Sequence, residues 1–243
     1  MADFDHFVAT RFSAVFTDEH PPPDPAWLRY RLAFFVEACR ASMSRQSGSP
    51  EFRWLVFFDD RCDAEFRADV DELAEGVFEP IWTHEVFWAG ILPREIAARS
   101  TAPFLITTRL DSDDAVATDF IAAVQREFAG QERLFVNFPR GLQVVRSGAL
   151  YQRDYPSGPF LSLIEARSEQ PPLTVFGSRG HTKARRLGPI REVMAPPMWL
   201  QVVHGSNIAN EVRGMRVSPR QANARFDIDL DYAHRVSGVE LAA

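Results

Sequence analysis

Pro103–Leu110 reads PFLITTRL and runs directly into Asp111-Ser112-Asp113-Asp114. A run of mostly apolar and β-branched residues closed by short acids describes a strand buried on both faces that ends in a polar loop. Strands of that kind belong to a largely parallel sheet, and parallel neighbours need crossover connections, usually helices. The chain on the N-terminal side alternates accordingly. Phe7–Phe12 (FVATRF), Arg53–Phe58 (RWLVFF) and Phe78–Trp82 are further short apolar runs. Between them, Trp27–Met43 sets Leu28, Leu32, Phe35 and Cys39 at helical spacing, and Ala64–Ala74 and Ile91–Arg99 read as two more helices. A fourth helix is expected from Ala117 to Phe128. This alternation predicts an α/β fold built on a Rossmann-type, mostly parallel sheet with crossover helices.

From Leu134 onward the pattern changes. The stretch FVNFPRGLQVVRSGALYQRDYPSGPFLSLI mixes short strands with glycine and proline turns, which predicts antiparallel hairpins. An arginine-rich loop, GSRGHTKARRLG, precedes a last apolar run, MWLQVV, that ends at His204. The expected organisation is a single domain over 1–215, with halves at 1–130 and 131–215, followed by a weakly periodic tail over 216–243.

Composition narrows the function classes. With 243 residues, 46% hydrophobic and 25% charged, the chain can bury one large core. Its net charge of -6 opposes a nucleic-acid partner. Two cysteines, Cys39 and Cys62, cannot build a disulfide framework, and the N-terminus lacks the basic and apolar regions of a secretion signal. No run of about 18 apolar residues predicts a membrane span. These features place the chain in the cytoplasm.

In open α/β sheets, ligands bind beyond the carboxyl ends of the strands. Three such ends carry polar groups here: Thr10-Arg11, Asp59-Asp60 and Asp111-Ser112-Asp113. On extended backbone, residues i and i+2 point the same way, so Asp111 and Asp113 are expected to address one cation. Magnesium or manganese suits carboxylates that share the ion with phosphate oxygens. The plainer alternative makes Asp113 or Asp114 the N-cap of the helix that follows.

The segments ITTRLDSDDAVATDF, FVATRF, FRWLVFFDD, FVNFPRGLQ, PFLSLIE and MWLQVVHGSN, in that set, resemble the rhamnosyltransferase family of GT-A glycosyltransferases. The resemblance runs from about residue 5 to about residue 215. It implies a GT-A-like fold whose first half holds a nucleotide-diphosphate sugar and whose antiparallel extension faces the acceptor, a carbohydrate or other hydroxyl compound. It further implies that Asp111 and Asp113 hold Mn2+ or Mg2+ against the diphosphate, with His204 as a third ligand and Asn207 nearby. Asp59 and Asp60 would meet the base or ribose, with Thr10 and Arg11 beside them. Arg99 would reach the diphosphate. Read from its own basic Gly-His-Thr-Lys loop, His181 is a second candidate for phosphate or metal contact. For a catalytic base on the acceptor side, Glu165 is the first candidate and Asp154 the second.

Two other readings share these residues. A haloacid-dehalogenase-like phosphatase also carries Asp-x-Asp after a strand, but expects threonine or valine where Ala115 stands and the motif after the first strand. A binding protein of the same fold without turnover would leave Asp111 and Asp113 as caps.

Overall fold

A computed structural model describes residues 3–48, 51–156, 158–204, 212–223, 225–227 and 231. The first four strands are β1 (Phe4–Arg11), β2 (Arg53–Phe58), β3 (Glu79–Trp82) and β4 (Phe104–Arg109). All pair in parallel, in the order β3-β2-β1-β4. Helices separate them in the chain: α1 (Pro25–Phe34) with a π-helical turn at Phe35–Arg40 and α2 (Ala41–Met43), then α3 (Ala64–Ala74), then α4 (Ile91–Arg99). The expected α/β arrangement with a mostly parallel first half is therefore present.

Local chemistry accounts for these elements. Asp24 caps α1 by accepting the Trp27 amide at 2.9 Å, with Pro25 as the first helical residue. Asp63 caps α3 in the same way through the Phe66 amide at 2.7 Å. In α3 the residues Phe66, Val70 and Ala74 recur every four positions and are buried together. β2 is buried on both faces, which is why it reads as an unbroken apolar run. Trp54, Val56 and Phe58 join one core layer with Phe12, Phe35 and Ile106. Leu55 and Phe57 join the other, with Phe7, Phe87, Ile91 and Leu105.

The second half departs from simple hairpins. β5 (Ala115–Val116) is a two-residue strand, and α5 covers only Phe120–Gln125 where a helix over 117–128 was expected. β6 (Arg133–Asn137), β9 (Ser162–Ala166) and β10 (Ile190–Glu192) extend the first sheet beyond β4 in the order β10-β6-β9-β4. β9 is antiparallel to β4 and to β6, but β10 is parallel to β6. β7 (Arg140–Val145) and β8 (Leu150–Asp154) form the one adjacent hairpin among the described residues. With β11 (Trp199–Val203), β12 (Met215–Val217) and β5 they make a second, five-stranded sheet, in which β11 runs parallel to β7. Short polar connections hide such pairings, because partners distant in the chain leave no periodicity between them. β12 pairs with β8, and α6 (Arg220–Asn223) follows it.

Candidate active site

A cavity of about 700 Å³ opens at the carboxyl ends of β1 and β4, which lie side by side. Its wall includes Arg11, Arg109, Asp111 and Asp113 from those strand ends, with Trp27 and Arg31 of α1 facing them. Arg153 and Tyr155 enter from the end of β8, and His181 and Gln201 complete the second side. A volume of this size suits a ligand as large as a nucleotide sugar.

The acidic turn is placed by β5. That strand pairs antiparallel with β11, Leu200 opposite Ala115 and Trp199 opposite Val116. Continuing the register brings residues 202–204 beside Asp113 and Asp114. The Val202 amide donates to Asp114 at 2.9 Å, and His204 Nε2 lies 3.0 Å from Asp113 Oδ2. Neither Asp113 nor Asp114 caps a helix, since α5 begins only at Phe120. Burial, with Asp113 and Asp111 beside it, pushes the Asp114 carboxyl well above the usual range.

Asp111 and Asp113 do not point the same way. β4 ends at Arg109, and Asp111–Asp114 is a turn closed by the Asp114 amide on the Asp111 carbonyl, so the alternation of extended backbone does not apply. Asp111 turns toward Arg109, which grips both its oxygens at 3.1 and 2.9 Å, and toward Arg11 at 3.6 Å. Asp113 turns toward α1, where Arg31 Nη1 donates to Oδ2 at 3.0 Å while Arg31 Nη2 donates to Ser112 Oγ at 2.8 Å. Burial opposes ionisation of both carboxyls, yet Arg109 and Arg11 on Asp111, and His204 and Arg31 on Asp113, outweigh it and hold both below the ordinary value. The His204 ring is itself stacked on Phe34 at 4.0 Å, so one turn of α1 supplies both Arg31 and the surface that orients the imidazole.

Arg11 sits in an aromatic cage. Its guanidinium carbon lies 4.8 Å from the Phe176 ring centre, 5.3 Å from Phe16, 5.6 Å from Trp88 and 5.8 Å from Phe87. Burial lowers its pKa to about 10. The Nε–H groups of Arg11 and Arg31 are buried and have no hydrogen-bond partner.

Among the described residues, the donor set does not fit the divalent cation expected from the sequence. No group of three or more candidate ligands converges among the described residues. Asp111 faces two arginines, which leaves Asp113 Oδ2 and His204 Nε2, and Arg31 Nη1 lies 3.0 Å from the first and 3.4 Å from the second. An ion bonded to both atoms at about 2.1 Å would sit within about 4.5 Å of that guanidinium whichever side it took. At an effective dielectric constant of about 20 the repulsion from Arg31 is about 7 kcal/mol, which weakens this position for an ion while Arg31 stays in place.

Several expected site residues lie elsewhere. Thr10 is buried and accepts from Trp54 Nε1 at 2.9 Å, a core contact. Asp59 is fully buried against Arg61, whose Nη2 donates at 2.7 Å; these bonds outweigh burial and lower its pKa. Asp60 pairs with His84 at 2.9 Å, and neither it nor Asp59 lines the cavity. Arg99 is at the opposite end of the sheet, before β4 begins, paired with Glu79 at 2.8 Å and facing a smaller hollow with Asp5 and Arg53.

Glu165 is not placed as a base. It pairs in register with Leu105, near the start of β4, and its two oxygens accept the Leu173 and Thr174 amides at 2.9 Å each. Burial, partly offset by those amides, raises its pKa. Its work is to hold the loop at Thr174, whose φ is 59°. Asp154 is the exposed last residue of β8 and lies 3.7 Å from Arg140, while its neighbours Arg153 and Tyr155 reach the cavity. His181 does line the cavity, 5.6 Å from the Tyr155 ring. Asn207 lies outside the described residues.

Arg31 and Trp27 were not anticipated. Their only trace in the sequence is an i, i+4 pair on the flank of a helix whose buried stripe holds Leu28 and Phe35. Helical periodicity identifies the stripe but not what the flank will face.

Comparison with solved structures returns distant similarity. A crystal structure of S. aureus TarS residues 1-349 matches at 13% identity and a TM-score of 0.44, over 82% of this chain and 60% of that one. The same protein in complex with UDP-GlcNAc matches at 11% identity and a TM-score of 0.45, over 96% and 70%. HddC from Yersinia pseudotuberculosis matches at 11% identity and a TM-score of 0.31, over 67% and 76%. This chain thus spans 60% of the first of these structures. No curated protein matches. A family model described as "Putative rhamnosyl transferase" matches residues 23–216, from the start of α1 to β12, and the chain belongs to that family.

Proposed function

We propose that this chain is a glycosyltransferase that binds a nucleotide-diphosphate sugar in the cavity at the ends of β1 and β4 and passes the sugar to a hydroxyl acceptor. The observation that carries the reading is the pair of partly buried arginines, Arg11 and Arg109, fixed by Asp111 at that strand-end cavity. In the transfer, the bond between the sugar's anomeric carbon and the β-phosphate oxygen breaks with its electron pair going to phosphate. The acceptor oxygen bonds the anomeric carbon and gives up its proton to water or to the departing diphosphate. Charge therefore develops on the leaving diphosphate, and preorganised cations near it lower the barrier. Asp111 is the positioning residue for Arg109 and Arg11, and Asp113 plays that part for His204. His181, on a basic loop at the cavity's edge, is placed to approach the diphosphate or acceptor.

The family's description names rhamnose, which makes a rhamnose donor the first to test. We infer a cytoplasmic setting from the two unpaired cysteines; among the described residues no helix is long and apolar enough to cross a membrane. The binding-only alternative takes Asp111 and Asp113 as caps, and they cap no helix; turnover of a nucleotide sugar separates it from the transferase reading.

Thermal-shift titration with uridine, guanosine and deoxythymidine diphosphates, followed by release of nucleoside diphosphate from deoxythymidine diphosphate-rhamnose, tests the reading. Wild type should be stabilised by at least one diphosphate. Asp111→Asn should lower turnover by about 10²-fold or more while remaining folded. Absence of any diphosphate binding would refute it.

A further inference from the structure

We propose that Arg31 is the resident cation of the Asp111-Ser112-Asp113 turn, and that with Arg11 it binds the donor's diphosphate directly, so that donor binding requires no divalent metal. The inference rests on the nucleotide-sugar reading above and concerns how the same cavity holds its anion.

The guanidinium spans the turn. One terminal nitrogen donates to Ser112 Oγ at 2.8 Å and the other to Asp113 Oδ2 at 3.0 Å, while His204 Nε2 lies 3.4 Å from the latter nitrogen. It thus holds the position between carboxylate and imidazole that a bound ion would contest. Trp27 lies against it, 5.9 Å from ring centre to guanidinium, and only 14% of the side chain is exposed. Such enclosure makes it a fixed countercharge rather than a mobile surface arginine.

The charge of the wall points to the same ligand. Arg31 and Arg11 both line the cavity, and each keeps a buried Nε–H without an acceptor. Those Nε–H groups are enclosed by protein, so it is the positive guanidinium heads, not the Nε–H groups, that face a ligand in the cavity. A diphosphate supplies acceptor oxygens, and arginine binds phosphate through its planar set of donors. A cation would add like charge beside these two guanidiniums.

Isothermal titration of the full chain with uridine, guanosine and deoxythymidine diphosphates, each in EDTA and in manganese, separates the possibilities. At least one diphosphate should bind wild type with an affinity that changes less than about twofold between the two conditions. Arg31→Gln should weaken that binding by about 10- to 150-fold, the span expected for a lost charged hydrogen bond, and Arg31→Lys should recover part of it. Circular dichroism melting checks that the variants fold, and the wild-type comparison stands even if Arg31→Gln does not. Binding that appears only with manganese, or that Arg31→Gln leaves intact, overturns this inference and leaves the nucleotide-sugar reading standing. No binding in either condition overturns both.

Discussion

Three aspartates within four positions, 111, 113 and 114, have different environments and so different roles. Asp111 is clasped by Arg109, and Asp113 by Arg31 and His204, so both stay ionised, while Asp114 receives one amide and two neighbouring negative charges in a fully buried position. Because its pKa is raised on folding, the folded chain keeps a proton there that the unfolded chain releases above the ordinary value of 3.8. Asp114 therefore contributes its full stability below that pH and loses it as pH rises toward its folded pKa. Asp114→Asn keeps an acceptor for the Val202 amide without the charge. Urea unfolding should show the variant gaining on wild type between pH 4.5 and pH 7; a constant difference would mean Asp114 is not held protonated. None of this was legible in the residues alone. Identical acids in one tetrapeptide differ through β1 and β4 at Asp111 and through α1 and the β11 region, both about 80 or more positions away, at Asp113 and Asp114.

Among the elements, those whose burial follows their own periodicity were legible and those defined by distant partners were not. β2 and β4 declare themselves as apolar runs, and α3 by its four-residue stripe. β5 has two residues, and what makes it a strand is β11, to which it pairs after more than 80 residues of intervening chain. Glu165 shows the cost of missing such pairings: an acid at the end of PFLSLIE looked ready for the acceptor, but the antiparallel register of β9 against β4 carries it toward the far end of the sheet. β7 gives an element-scale test. Gly141 packs under Trp199, which stacks on Phe160 at 4.9 Å, and a Cβ at 141 would fall 2.0 Å from the indole. Gly141→Ala must push the ring or the strand aside, and should destabilise the chain by about 1–3 kcal/mol in denaturant unfolding. Unchanged stability would show that β7 and β11 are not packed this closely.

At the scale of the molecule, the place of the cavity was foreseen better than its lining. A parallel sheet directs ligands to its carboxyl ends, and the larger cavity is there, at β1 and β4. Its chemistry differs from expectation because the arginines that set it come from three separate places, Arg11 on β1, Arg31 on α1 and Arg109 on β4. The central claim is that a nucleoside diphosphate sits among these groups. Hydrogen–deuterium exchange with and without a saturating nucleoside diphosphate tests it most directly. The account predicts slowed exchange confined to the segments around Arg11–Ser13, Trp27–Arg31 and Arg109–Asp114. Protection centred instead on the opposite hollow at Asp5, Arg53 and Arg99, or no protection at a concentration that saturates binding, would contradict it.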